Sequence, residues 1–223
     1  LVKRATGFIT GGFRPTNSNT ENWIGQVYLY RENEDIPIDD NGKAMLPLLQ
    51  ICLEGLPYIP DALKGSKVLT IFVSENMPGR LAYNGDAWVI REYKEEDVLV
   101  VKDIYMQSSS RINPYPLKSQ LITEDYPVWD SGDIPMDIED ELVEMEDSGE
   151  ITDYYDYTDC FAGHKIGGYP NYIQSGIDFG DGYEFMIQIA SDEKANLNII
   201  DSGNFYLAKN SQTGDWRLYC DFY

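Results

Sequence analysis

The sequence predicts a mainly-β protein, and three features of the chain lead to this prediction. Aromatic residues make up 13% of its 223 residues, with 17 tyrosines against eight phenylalanines, which suits sheet faces and half-wet surfaces better than a helical bundle. Short runs of branched and aromatic residues recur along the chain. Between such runs stand Asn41-Gly42, Asn84-Gly85 and Asp181-Gly182, dipeptides that supply the positive φ angles of tight turns.

Seven strands and two short helices are predicted from these patterns. The predicted strands cover residues 23–30, 67–74, 87–93, 98–105, 183–190, 204–208 and 216–222. The first predicted helix, residues 60–64, begins at a proline and stops at a glycine. The second, residues 134–146, repeats Ile138, Leu142 and Met145 at helical spacing between acidic residues. We expect this second helix to be marginal, because acidic side chains burden its C-terminal end.

Residues 106–133 are predicted to be an acidic linker rich in proline and serine. Its prolines, among them Pro116 and Pro127, disfavour both helices and central strands. The linker divides the chain into halves of about residues 1–105 and 134–223. We expect residues 1–223 to form one domain, because 43% of them are hydrophobic and the chain is long enough for a large core.

The two halves resemble each other in the order of their motifs. Gly11-Gly12 opens the first half, and Gly167-Gly168 opens the second. Each is followed by an apolar run with a Gln-Ile pair, Gln50-Ile51 and Gln188-Ile189, and then by a strand that a glycine precedes. This order predicts a duplicated β unit around a pseudo-twofold axis. Chance similarity between two β-rich sequences is the alternative.

Acidic residues are concentrated in the middle of the chain. The net charge is −21, and the residues between Lys118 and Lys165 include fifteen acidic side chains but no Lys or Arg. His164 is the only histidine of the chain and ends this stretch. Like charges at this density repel one another unless a cation or a basic partner neutralises them. The stretch therefore predicts either a solvated acidic loop or a surface that docks something basic.

Charge and composition exclude several classes of partner. A sequence pI near 4.2 means repulsion from a phosphate backbone, so no nucleic-acid partner is expected. The longest apolar runs, such as residues 98–101, are too short to span a bilayer, so no membrane partner is expected, and no secretory signal is recognised. Cys52, Cys160 and Cys220 form neither a paired framework nor a Cys-x-x-Cys motif. A reducing cytoplasm is therefore the expected compartment.

Residues suited to catalysis are scarce. The chain has no Gly-x-Ser-x-Gly elbow, no phosphate-binding loop motif and no His-Glu-x-x-His motif. Cys160 and His164 stand four residues apart and could form a thiolate and imidazole pair, but the neighbouring Asp153, Asp156 and Asp159 favour the neutral thiol. No further zinc ligand accompanies this pair. We therefore predict no catalytic residue, no metal and no cofactor.

One block of the C-terminal half resembles a known family. Residues 164–174 read His-Lys-Ile-Gly-Gly-Tyr-Pro-Asn-Tyr-Ile-Gln, which is similar to the His-Lys-x-x-Gly-Tyr-Pro-x-x-Ile-Gln block of the YwqG-like family of bacterial proteins. Residues 46–57 and the Asp201-Ser202-Gly203 turn resemble further blocks in the same order, although Ile199-Ile200 replaces the family's Trp-Gly. The resemblance implies a roll-like, mainly-β fold with internal duplication. Members of that family occur near bacterial toxin and immunity genes, so the resemblance also suggests a role of that kind for this chain.

This block is predicted to have a structural role, carried by His164, Gly167, Gly168, Tyr169, Pro170 and Gln174. The two glycines permit backbone angles that are closed to other residues, and the proline fixes the exit from their turn. We expect His164 to hold the turn through hydrogen bonds to nearby carbonyl groups, and Gln174 to pair with a sheet edge. The alternative is a ligand-binding or active-site role for these two side chains.

The leading functional prediction is a partner-binding surface that alternates carboxylates with tyrosines. Carboxylates pair with arginine, and tyrosines supply contact area at a low entropic cost. The predicted contact residues are Asp137, Glu139, Asp140, Glu141, Glu144, Asp153, Tyr154, Tyr155, Asp156, Tyr157 and Asp159. We expect a cytoplasmic immunity protein that occludes the basic surface of a cognate toxin without catalysis. A small-ligand binder or enzyme with a cleft near His164 and Gln174 is one alternative, and a structural β module is another.

Overall fold

A computed structural model describes residues 1–16, 18–79, 81–104, 108 and 110–223. These residues form thirteen strands and one α-helix, α1, at Met136–Ser148. The strands are β1 Lys3–Thr10, β2 Asn22–Ile24, β3 Leu29–Tyr30, β4 Leu46–Cys52, β5 Ser66–Val73, β6 Leu81–Tyr83, β7 Trp88–Lys94, β8 Val100–Val101, β9 Tyr115–Asp125, β10 His164–Gly167, β11 Tyr183–Ala190, β12 Asn204–Asn210 and β13 Trp216–Asp221. Short 3₁₀ turns lie at Asp61–Leu63, Trp129–Ser131 and Tyr154–Asp156.

The predicted helix over residues 134–146 is confirmed, shifted by two residues. Pro135 lies at the N-cap of α1, and Gly149 ends the helix with a φ of 76°, an angle that glycine adopts without strain. The helix predicted over residues 60–64 is only the 3₁₀ turn. The strand predicted over residues 98–105 is reduced to β8 within the described part of the chain, and Tyr105 lies outside the described residues.

Eleven strands form one antiparallel sheet in the order β6-β13-β12-β11-β10-β1-β9-β2-β4-β5-β7, and β3 pairs separately with β8. The strands β6 and β7 stand at opposite ends of this order although only residues 84–87 separate them along the chain. The sheet must therefore curl until its two edges approach each other. The mainly-β, pseudo-barrel prediction is confirmed. The interior contains an apolar cluster whose residues come from strands at both ends of this order.

Glu92 on the edge strand β7 reaches two strands near the opposite edge of the curled sheet. Its carboxylate accepts hydrogen bonds from Lys209 Nζ on β12 at 2.8 Å and from Trp216 Nε1 on β13 at 3.2 Å. Burial alone would raise the pKa of Glu92, but hydrogen bonds from Lys209, Lys94 and Ser66 outweigh it and lower the pKa to about 2. The folded state therefore favours the ionised carboxylate more strongly than the unfolded chain does.

This difference predicts a loss of stability in acid. Below the ordinary pKa of 4.5, the unfolded chain takes up a proton at Glu92 that the folded protein refuses, so the free energy of unfolding falls as the pH falls toward 2. We expect Glu92→Gln to be less stable than wild type at neutral pH. Between pH 4.5 and pH 2, its free energy of unfolding should fall less than that of wild type. Urea unfolding at a series of pH values measures this free energy. An equal dependence of the unfolding free energy on pH in both proteins would contradict the prediction.

The sheet is built from two similar halves around a central pair. Strands β1 and β9 pair at the centre, with β2-β4-β5-β7 on one side and β10-β11-β12-β13 on the other. Equivalent side chains make equivalent bonds in the two halves. Asn22 Oδ1 accepts from Cys52 N–H at 2.8 Å, and His164 Nδ1 accepts from Ala190 N–H at 3.1 Å. The prediction of two similar β halves is confirmed.

The register also identifies which glycines correspond. Trp23 lies opposite Gln50, and Lys165 lies opposite Gln188. Two residues after each of these partners stands a glycine with positive φ, Gly25 at 75° and Gly167 at 77°. The predicted match of Gly11-Gly12 with Gly167-Gly168 is therefore wrong. Those first glycines follow the central strand β1, whereas the equivalent of β10 is β2.

The prediction of a linker over residues 106–133 is wrong for β9, because Tyr115–Asp125 is a central strand. Met106, Gln107 and Ser109 of that linker lie outside the described residues. Pro116 is tolerated in the strand by its position. Its carbonyl accepts from Gly11 N–H at 2.9 Å, just past the last residue of β1. Since the N–H and C=O of one residue point to the same neighbouring strand, the donor that proline lacks falls where β1 has ended.

Candidate functional site

The acidic loop, a name used here for residues 126–160, connects β9 to β10. Both strands pair with β1, one on each side. Two hydrogen bonds close the base of the loop. Tyr126 N–H donates to the Asp159 carbonyl at 3.0 Å, and Phe161 N–H donates to the Asp125 carboxylate at 2.7 Å. The loop therefore leaves the sheet and returns to it at one fixed place.

A buried ion pair stands at this base. The side chains of Asp125 and Lys165 are both fully buried, and Lys165 Nζ donates to the two carboxylate oxygens at 3.1 and 2.9 Å. The same carboxylate accepts from Phe161 N–H and from Tyr169 N–H, each at 2.7 Å. Two buried charges are tolerated only when they are paired and their hydrogen-bonding capacity is filled. This pair meets both conditions and connects β9 to the block that follows the loop.

Gly167 and Gly168 pass close to this pair in the left-handed backbone region, with φ of 77° and 73°. A Cβ on Gly167 would meet the ring of Tyr58, and a Cβ on Gly168 would overlap the carboxylate of Asp125. Both positions therefore require glycine for conformation and for space. The next two residues, Tyr169 and Pro170, are buried, and Lys3 Nζ lies 3.9 Å from the centre of the Tyr169 ring.

We expect Gly168→Ala to destabilise the protein more than a glycine substitution that changes conformation alone. Gly149 is the matched control, since its φ is 76° and no atom lies within 4 Å of an added Cβ. Alanine at Gly149 should cost about 1–2 kcal/mol through the left-handed backbone. Alanine at Gly168 should cost at least about 2 kcal/mol more, because it displaces a buried carboxylate. Equal unfolding free energies for the two variants would contradict this account.

His164 is buried and hydrogen bonded through both ring nitrogens. Nδ1 accepts from Ala190 N–H, so Nε2 carries the proton and donates to Asp192 Oδ2 at 3.1 Å. The bonds are thus to an amide and a carboxylate rather than to the carbonyl groups that the sequence suggested. Burial alone would raise the pKa of Asp192, but hydrogen bonds from His164 and Thr10 hold it well below its usual value. Asp192 also accepts from Ala195 N–H at 2.9 Å, so this ring anchors the turn after β11.

Cys160 contacts the buried ion pair rather than the histidine. Its Sγ lies 3.5 Å from Lys165 Nζ and 3.8 Å from the Tyr169 carbonyl oxygen. Burial raises the pKa of this thiol to about 11, so the neutral thiol predominates near neutral pH. A nucleophile requires the opposite shift.

Tyr154 belongs to the interior of the acidic loop, although the sequence places it among the partner-contacting residues. Only 3% of it is exposed. Its hydroxyl donates to the Pro127 carbonyl at 2.8 Å, its N–H donates to Glu146 Oε1 at 3.0 Å, and its ring packs 5.3 Å from that of Trp129. Tyr154 therefore packs within the loop and ties the end of α1 to it, and only a small part of its surface is left for a partner.

The remaining predicted contact residues fall into two groups. The first group lies on α1, where Asp137, Asp140, Glu141 and Glu144 are exposed and Glu139 is half-buried. The second group follows the helix. Asp153 caps its own turn by accepting from Tyr155 N–H at 2.8 Å, while Tyr155 and Tyr157 are 55% and 67% exposed.

The second group, apart from Asp153, lines an acidic groove of about 590 Å³ against β9. The lining residues are Gln120, Leu121, Ile122, Thr123, Glu124, Tyr126, Tyr155, Asp156, Tyr157, Thr158 and Asp159. Three of them are carboxylates, three are tyrosines, and none is Lys, Arg or His. The groove thus brings together Tyr155, Asp156, Tyr157 and Asp159. It adds Glu124 and Tyr126, which sequence reasoning missed because they lie in the segment assigned to a linker.

An apolar notch of about 330 Å³ lies beside the groove. It is lined by Leu142, Met145, Glu150, Ile151, Tyr154, Tyr157 and Thr158. Tyr157 and Thr158 also line the groove, so the two depressions share a wall. The apolar stripe of α1 therefore faces a space that it fills only in part.

A third depression, the glycine cleft, has a volume of about 780 Å³ and is lined in part by Gly167, Gly168 and Pro170. Neither His164 nor Gln174 is among its lining residues. Gln174 instead donates from Nε2 to the Phe222 carbonyl at 2.6 Å, beyond the end of β13. The structure does not bring these two side chains together around the cleft.

Metal binding and membrane insertion would each leave a recognisable feature in the described residues. No three His, Cys, Asp or Glu side chains among them are grouped as metal ligands. None of the helices in the described part of the chain combines the length and apolar character that a membrane span requires.

Fold and site together define a mainly-β, internally duplicated protein that carries an acidic loop on a buried ion pair. The family model named Domain of unknown function (DUF1963) matches residues 24–212. The chain belongs to this family. No curated protein matches it.

Proposed function

We propose that the protein is a non-catalytic acidic binding protein that covers the basic surface of another protein. Its specific role would be that of a YwqG-like bacterial immunity protein, acting in the cytoplasm, that neutralises a cognate toxin by occluding it. The acidic groove is the observation that carries this proposal. Three carboxylates and three tyrosines line it without a basic side chain, a combination that suits arginine and lysine on a partner.

The way in which the groove is held supports the same role. Its walls are the central strand β9 and the end of the acidic loop, which the Asp125–Lys165 pair and Tyr154 fix in place. A preformed surface loses less conformational entropy on binding than a flexible acidic tail would. The net charge of −21 would in addition attract a basic partner at long range and speed the encounter.

Coexpression tests the proposal. The protein encoded by the adjacent gene would be produced in a bacterial host with and without this protein, and growth and complex formation would be measured. The proposal expects growth inhibition that this protein relieves, together with a complex that survives purification. A toxic neighbour that is neither bound nor neutralised would contradict it.

The glycine cleft supports a second candidate, the binding of a small ligand. A volume of about 780 Å³ is in the range of small-molecule sites, and Tyr58, Tyr172, Phe179 and Tyr183 are among its lining residues. Thermal shifts with a metabolite library would test this candidate, using a variant with a blocked cleft as the control.

A further inference from the structure

We propose that the partner segment in the acidic groove is basic and amphipathic, and that it places an apolar side chain in the apolar notch. This inference rests on the proposed function and specifies the chemistry of its partner. The shared wall carries it. Tyr157 and Thr158 line both depressions, so a ligand that fills the groove ends beside the notch.

The notch has the character of a side-chain pocket with a fixed floor. Ile151 and Tyr154 are 9% and 3% exposed, while Leu142 and Met145 are half-buried on α1. A volume of about 330 Å³ accommodates one aliphatic or aromatic side chain. Covering such a pocket removes apolar surface from water, and this burial contributes to affinity. The flanking carboxylates alone cannot supply that contribution.

Charge decides which occupant is favoured. Glu150 stands at the notch, and Glu124, Asp156 and Asp159 line the groove beside it. These carboxylates repel an anionic membrane surface, and a net charge of −21 repels a second copy of the chain. A protein segment with Lys or Arg next to an apolar residue satisfies both depressions at once.

Two synthetic peptides provide the test. One carries lysine and leucine at helical spacing, and the other replaces each leucine with serine while keeping every lysine. Both are titrated by fluorescence anisotropy at low salt. Wild type should bind the leucine peptide at least about tenfold more tightly, the effect of burying one aliphatic side chain.

Two variants locate the effect on α1. Leu142→Ala enlarges the notch and should remove most of the preference for leucine, while Val143→Ala, on an exposed neighbouring residue that does not line the notch, should keep it. Circular dichroism confirms that α1 is intact in both. In wild type, methyl NMR should in addition show contacts between peptide leucines and the Met145 methyl group.

The outcomes separate the inference from the function on which it rests. Equal binding of both peptides by wild type, or equal loss of preference in both variants, overturns the notch as a docking site but leaves a basic partner possible. Absence of Met145 contacts despite tight binding also overturns it. Failure of both peptides to bind at low salt contradicts the proposed function as well.

Discussion

Replacing Lys165 with methionine is expected to destabilise the protein by about 3–5 kcal/mol, because Asp125 is then left charged and unpaired in a dry site. The pair is fully buried on both sides, so water cannot compensate for the lost partner. The variant should also open the base of the acidic loop. Urea unfolding measures the first effect, and faster hydrogen exchange across residues 126–160 measures the second.

The double variant Asp125→Asn with Lys165→Met separates the ion pair from simple packing. Phe161 N–H and Tyr169 N–H donate to different oxygens of Asp125, so asparagine, with one carbonyl oxygen, keeps one of these two acceptors, and no charge remains buried. We expect it to be more stable than Lys165→Met alone. Lys64→Met is the matched control, because Lys64 and Asp61 form a pair at 2.6 Å whose side chains are 70% and 91% exposed. It should leave stability nearly unchanged, and a similar loss in both single variants would contradict the account.

Neutralising the acidic groove is expected to have the largest effect on binding. The triple variant Glu124→Gln, Asp156→Asn and Asp159→Asn should weaken affinity for a lysine-rich peptide or cognate partner about 100-fold, since close charge pairs across an interface contribute substantially. Stability should change little, because these carboxylates form no ion pair among the described residues. Calorimetry at low and moderate salt measures the change.

The helix offers a control with the same change in net charge. Asp137, Asp140 and Glu144 are exposed on α1 and do not line the groove. The control variant therefore carries Asp137→Asn, Asp140→Asn and Glu144→Gln. This second triple variant should reduce long-range attraction equally but affinity only several-fold. If both variants lose the same affinity, the acidic loop acts through its overall charge and the groove has no special role.

Local sequence patterns predicted much of the fold because they depend on neighbouring residues. The spacing of Ile138, Leu142 and Met145 located α1 within two residues. By contrast, Pro116 led to a linker where a central strand lies. The strand tolerates proline only because β1 has ended beside it, and this depends on a residue more than one hundred positions away.

The candidate site was predicted in part for the same reason. Charge and tyrosine content pointed to Tyr155, Asp156, Tyr157 and Asp159, which the groove brings together. Composition could not distinguish buried Tyr154 from its exposed neighbours, because its burial depends on Pro127 and Trp129. For the buried ion pair, the sequence offered one signal, which was Lys165 itself. Apart from His164, it is the first basic residue after the fifteen acidic side chains.

Hydrogen exchange of the protein alone and in complex with its partner tests the central claim most directly. If the acidic groove is the docking surface, amides in residues 120–126 and 155–159 should become protected on binding, and the groove triple variant should lose this protection. Protection confined to the glycine cleft or another face, with the groove still exchanging freely, would contradict the claim.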